Sequence, residues 1–154
     1  MIRDSINRKY DLIHYIYTTF YESTQTGLPL MRPMFIHYPD ISALWGHSEE
    51  FMFGDSMLVV PKLKAPTSDL EKQKKQEVTY MLPSGDLWYN YYSKQTEETK
   101  TQWVTRTLPD LEQAVYIKGG SVLPILEHEG CMALTKCINN GIRLEVYLDT
   151  DNYA

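Results

Sequence analysis

The chain reads as a mainly β protein with an N-terminal helix, its strands forming an antiparallel sandwich. Three features predict this. An apolar period of three to four residues holds over the first two dozen positions. From residue 51 onward the period falls to two, in short runs. Turn residues separate those runs at close intervals, and no second helical pattern appears.

The helix is expected over residues 2–26. Ile2, Ile6, Tyr10, Ile13, Tyr17 and Phe20 recur on one face, which Leu12 and Ile16 widen. Arg3, Asp4, Asn7, Arg8 and Asp11 fall mostly off it. Gly27 stands where a left-handed cap would end the helix, and Pro29 follows two residues later. A short apolar strand is expected over 30–36. Arg32 and Pro33 interrupt it, and proline cannot donate to a strand ladder, so the strand starts at an edge, bulges or stops early. A helix and a lone strand do not make a fold, so this unit is expected to belong to a larger body. Residues 38–50 read as a loop, punctuated by Pro39-Asp40 and Gly46, with Trp45 packed on the core.

Strand pieces follow at 51–53 and 57–60, the second closed by Pro61. Residues 62–76 form a polar, lysine-rich arm with Pro66 inside it. Residues 77–82 alternate and stop at Pro83-Ser84-Gly85-Asp86, a strong turn signal. The run L-W-Y-N-Y-Y at 87–92 is strand-forming. A polar loop at 93–100 separates it from 102–108, which Trp103 anchors. Strands are expected at 114–117 and 121–125, split by Gly119-Gly120. The last two are expected at 131–138 and 142–148, joined as a hairpin through Asn139-Asn140-Gly141.

The 154 residues suffice for a domain with a real core, and 43% hydrophobic with 23% charged residues is ordinary for a globular chain. A net charge of −5 argues against a general nucleic-acid binder. Lys72, Lys74 and Lys75 are offset by Asp69, Glu71 and Glu77, so they make no phosphate patch. No apolar run reaches the ~20 residues of a membrane span, and Met1 leads into the helix pattern without a signal-peptide core. Cys131 and Cys137 lie six apart; on one extended strand they would sit roughly 20 Å apart, too far for a disulfide. Two buried thiols are therefore expected.

Few residues offer chemistry. Arg32 is a cation in an apolar run, and a structural salt bridge is expected over a substrate contact. Glu49 and Glu50 are adjacent, so their side chains point apart in an extended chain and read as a solvated turn rather than a catalytic pair. His14, His37, His47 and His128 lack metal-ligand spacing. No phosphate-binding or nucleophile-elbow motif occurs. The aromatic run at 87–92 has two readings, sheet-face packing or a platform for stacking sugar rings.

Four blocks, in order, resemble glycoside hydrolase family 31, the α-glucosidase and α-xylosidase family. Residues 17–23 (Y-T-T-F-Y-E-S) and 26–35 (T-G-L-P-L-M-R-P-M-F) are similar to the family's Y-T-L-F-Y-E-A and T-G-x-P-V-M-R-P-L-F. Residues 51–61 (F-M-F-G-D-S-M-L-V-V-P) are similar to F-M-L-G-x-x-L-L-V-A-P. Residues 80–85 (Y-M-L-P-S-G) with Trp88-Tyr89, and 118–124 (K-G-G-S-V-L-P), resemble Y-L-P-x-G-x-W-Y and R-G-G-x-I-x-P. Departures include His14 where the family has proline, and Lys118 where it has arginine.

The resemblance implies that residues 1–50 are the last helix and strand of a (β/α)8 barrel, and 51–154 an incomplete proximal β-sandwich that stops before the family's D-D-G turn. It implies a parent that cleaves terminal α-glucosidic bonds with retention, through two carboxylates and without metal or cofactor. The nucleophile's W-x-D-M-N-E-type motif, the acid/base aspartate and the sugar-contacting histidine match no position here. No catalytic, cofactor-binding or metal-binding residue is carried over, and the isolated chain is expected to be inactive. The opening Ile2-Arg3-Asp4 and the 12 tyrosines look most like family members of the endoplasmic-reticulum lumen that act on N-glycans beside a regulatory β subunit. The alternative is a stand-alone sugar-binding or interaction module built on the aromatic strand.

Overall fold

The computed structural model describes residues 2–63, 76–97, 101–108, 113–127, 134–137 and 140–151. The expected arm beyond Leu63, along with His128 and Cys131, lies outside them.

The chain opens with α1 (Ile2–Asp11) and α2 (Ile13–Thr26). They make one rod with a local distortion, since Leu12 N donates to Arg8 O and Ile16 N to Leu12 O. Gly27 ends it at φ 75°, its N–H donating to Ser23 O, as expected of a left-handed cap. The strand expected over 30–36 is shorter: β1 is Met31–Pro33, and Met34–His37 forms one helical turn, α3. Pro33 is the reason. It has no N–H for the ladder, and at φ −52° it caps the turn that follows. A 3₁₀ turn (Ser42–Leu44) leads to β2 (Phe51–Phe53) and β3 (Met57–Val60). Then come β4 (Gln76–Met81), β5 (Trp88–Asn90), β6 (Thr96–Glu97, within the expected loop) and β7 (Trp103–Leu108). The remainder is β8 (Ala114–Lys118), β9 (Ser121–Leu126), α4 (Leu134–Cys137) and β10 (Ile142–Tyr147).

Every strand pairing is antiparallel. A six-stranded sheet has the order β1-β2-β3-β8-β5-β6, and two ribbons, β4-β7 and β9-β10, accompany it. Because β1 bonds to β2, the central sheet runs across residue 50.

Strand parity sorts the core into two layers. Met52, Leu58, Trp88, Ala114 and Tyr116 pack with Val78, Tyr80 and Leu108 of the β4-β7 ribbon. Met57, Val115 and Ile117 pack with Leu123, Ile125 and Tyr147 of the β9-β10 ribbon and with Tyr15 of α2. The central sheet is thus apolar on both faces, which explains near-continuous runs such as M-L-V-V at 57–60.

Two expectations near the C-terminus are revised. Residues 134–137 are helical rather than extended, and β10 pairs with β9, while the rest of the strand expected at 131–138 lies outside the described residues. The extended spacing assumed for the cysteines fails with them. Cys137 is disulfide-bonded, and the sequence holds one other cysteine, Cys131. The helical turn at 134–137 rises only ~1.5 Å per residue, against ~3.3 Å for the extended strand that was expected there.

Candidate functional site

Two polar clusters each centre on one buried charged side chain, Arg32 of β1 and Glu50 before β2. The first centres on Arg32, 2% exposed. Its Nε donates to Pro29 O at 2.9 Å, and its Nη1 donates to Asp55 Oδ1 and lies 3.5 Å from His37 Nε2. Asp55 follows Gly54 in the β2–β3 turn. Gly54 N donates to Leu30 O, and Tyr15 Oη donates to Phe53 O at 2.6 Å while accepting from Ser56 N. Gly54 sits at φ 63°, and a Cβ there would lie 2.6 Å from Tyr15 Oη. One turn is therefore clamped by α2 and by β1. This explains why M-R-P and F-G-D-S occur together: each supplies half of the clamp. Burial holds the His37 imidazole below its usual pKa, with Asp55 opposing and Arg32 adding to the shift. Arg32 therefore pairs with the exposed carboxylate of Asp55 and with the His37 ring, and the salt bridge expected of a cation in an apolar run is present.

The second cluster corrects a sequence reading. Glu49 is exposed, but Glu50 is fully buried instead of lying in a solvated turn. Its Oε2 accepts from Met81 N at 3.1 Å, tying the loop to the end of β4. His47 Nε2 lies 3.6 Å from Glu50 Oε1, and the His47 ring rests 4.5 Å from the Trp103 ring. Burial pushes the Glu50 carboxyl up to about 7, against the pull of the Met81 N–H. Burial moves His47 the other way, below its ordinary value, with Glu49 opposing. Nothing in the local sequence marked Glu50, because its partners lie at positions 81 and 47 and its neighbour faces water. As a glycosidase pair the two glutamates fail, since cooperating carboxyls must face one gap ~5 Å wide in retaining enzymes.

The tryptophans also moved. Trp45, expected on the core, is 64% exposed, and Trp103 is 43% exposed beside His47. A shallow groove of about 330 Å³ runs past Met31, Phe35, Trp45, His47, Glu50 and Phe51. The strand at 88–90 offers no stacking platform. Trp88 is fully buried and donates to Pro83 O. Tyr89 packs edge-on against Tyr147, while Arg8 covers Tyr92 and Lys94 covers Tyr91. His14 lies in α2, half-buried. Among the described residues no cluster of histidine, cysteine and carboxylates could hold a metal ion, and no helix is long and apolar enough to cross a membrane.

The family model of the glycosyl hydrolase family 31 C-terminal domain matches residues 27–123, and the chain belongs to that family. Neutral alpha-glucosidase AB of Sus scrofa is 32% identical over 125 residues, covering 80% of this chain and 12% of that protein. A family 31 glucosidase of Schizosaccharomyces pombe is 31% identical over 153 residues, covering 99% of this chain and 15% of its own length. The glucosidase II alpha subunit superposes with a TM-score of 0.82 at 21% identity, over 96% of this chain and 15% of that one. It does so equally in the heterodimeric complex with the binding domain of the regulatory subunit. The chain therefore spans less than a fifth of the length of these relatives.

Proposed function

We propose that this chain is the structural C-terminal part of a family 31 α-glucosidase. In this reading residues 1–50 close a (β/α)8 barrel, and the sandwich from 51 onward buttresses it. The parent cleaves terminal α-glucosidic bonds of α-glucosides or N-glycans with retention, using carboxylates outside this chain. One observation carries the proposal. The helix buries Tyr15 and Thr19 against the sandwich but turns Tyr17 (77% exposed), Phe20 (54%) and Tyr21 outward. Met31, Phe35 and Trp45 are exposed as well, along the groove. Apolar surface of this extent marks an interaction site, and the unmatched length of the relatives is a body large enough to cover it.

Two finer assignments follow. The disulfide at Cys137 favours an oxidising compartment, in keeping with the endoplasmic-reticulum lumen. A regulatory β subunit belongs with the parent.

The test is complementation. The chain alone is expected to leave a chromogenic α-glucoside intact. Co-expressed with a family 31 enzyme truncated before the matching helix, it is expected to restore turnover, and the double substitution Tyr17→Glu/Phe20→Glu is expected to abolish that rescue. Inhibitor-sensitive turnover by the chain alone, or failure of a folded chain to rescue, defeats the proposal. Because its aromatic strand is packed, the chain is also expected to show no saturable change in tryptophan fluorescence with millimolar glucose or maltose.

A further inference from the structure

We infer that β10 is a self-association edge, through which two copies of this chain pair antiparallel about Leu144. Among the described residues β10 has one strand neighbour, β9, and its other edge pairs with no strand. An open edge is a template for another strand. The direction of its backbone groups is fixed by two bonds: Glu127 N donates to Gly141 O, and Gly120 N donates to Tyr147 O. Odd-numbered residues therefore point their backbone groups at β9. By strand parity, Ile142, Leu144 and Val146 point theirs at the open edge.

A two-fold axis through Leu144 matches every position. Leu144 meets Leu144, and Ile142 meets Val146 of the other copy, each as a hydrogen-bonded pair that exchanges two N–H···O bonds. Between them Arg143 of one copy stands across from Glu145 of the other, twice. Those are non-hydrogen-bonded positions, where side chains approach more closely, and opposite charges there favour pairing. Glu145 Oε2 is held by Lys94 at 2.7 Å, while Oε1 has Arg143 of its own chain at 3.4 Å, a long contact that a second arginine would complete. The even side chains are apolar and more than half exposed, Leu144 by 61%. Single charges of opposite sign two residues apart, flanked by apolar residues, are self-complementary only in this antiparallel register. A symmetric contact needs that self-complementarity.

Sedimentation of the 154-residue chain tests this independently of any glucosidase parent. The wild type is expected to rise with concentration from its 18.0 kDa mass toward twice that value. Arg143→Glu and Glu145→Arg are each expected to stay monomeric, because like charges then face one another across the axis. Mixing the two variants restores opposite signs at both crossings and is expected to recover the dimer. Leu144→Lys, on the solvent side, is expected to be monomeric with an unchanged circular dichroism spectrum. A wild type that stays monomeric, a Leu144→Lys chain that still dimerises, or folded charge variants that fail to associate on mixing overturns the inference.

Discussion

Glu50 shows what one buried carboxyl does to the pH response of a small domain. Its folded pKa, about 7, lies above the ordinary 4.5, so between those values the folded state holds more protons than the unfolded one. Stability then falls as pH rises through that window. The penalty is absent below pH 4.5 and complete above pH 7, on the order of 3 kcal/mol. Glu50→Gln keeps an acceptor for Met81 N–H and removes the charge. Its urea midpoint is expected to exceed that of the wild type at pH 7.5 and to approach it at pH 4.5. His37, held below its ordinary pKa by burial, opposes folding as pH drops below its unfolded value, but it does so equally in the two proteins because it lies in the other cluster. An equal gap at both pH values would show that Glu50 is ionised throughout. Sequence gave no warning of this residue, because burial was decided by Met81 and the loop across it rather than by Glu49 beside it.

At the scale of elements, the clamp on the β2–β3 turn joins helix, strand and hairpin. Tyr15→Phe loses the bonds to Phe53 O and Ser56 N and is expected to cost about 1–2 kcal/mol. Gly54→Ala is expected to cost at least as much, since its backbone is left-handed and the added methyl meets the Tyr15 oxygen. Tyr15→Phe/Gly54→Ala removes that oxygen as well, so the double variant is expected to lose less than the sum of the two. Strict additivity in denaturant titrations would mean the two groups do not meet. The residues of the clamp were legible as motifs, Arg32-Pro33 and Gly54-Asp55. Their contact was not, because two short segments twenty residues apart carry no local mark of which loop they touch.

At the scale of the molecule, the ribbons on either face of the central sheet make a three-layer body, and Cys137 at the end of α4 is held in a disulfide. Unreduced protein is expected to take up no iodoacetamide under denaturing conditions, and two equivalents after reduction. Two reactive thiols before reduction would restore the picture of buried free cysteines and withdraw the argument for an oxidising compartment. The exposed apolar residues of α2, β1 and the loop at Trp45 belong to this scale too. The expected helix face was read correctly as apolar, yet the sandwich buries a different side, through Tyr15 and Thr19.

Local chemistry in the sequence was enough for the helix and its Gly27 stop, the alternating strands, the turns at Pro83-Ser84-Gly85 and Gly119-Gly120, and the family blocks. Each of these depends on torsional preference or side-chain period within a few residues. Tertiary structure alone decided that β10 joins β9, that residues 134–137 coil, that Glu50 is enclosed and that Trp45 is not. Periodicity tells which way a side chain faces; it does not name the distant backbone that will cover it.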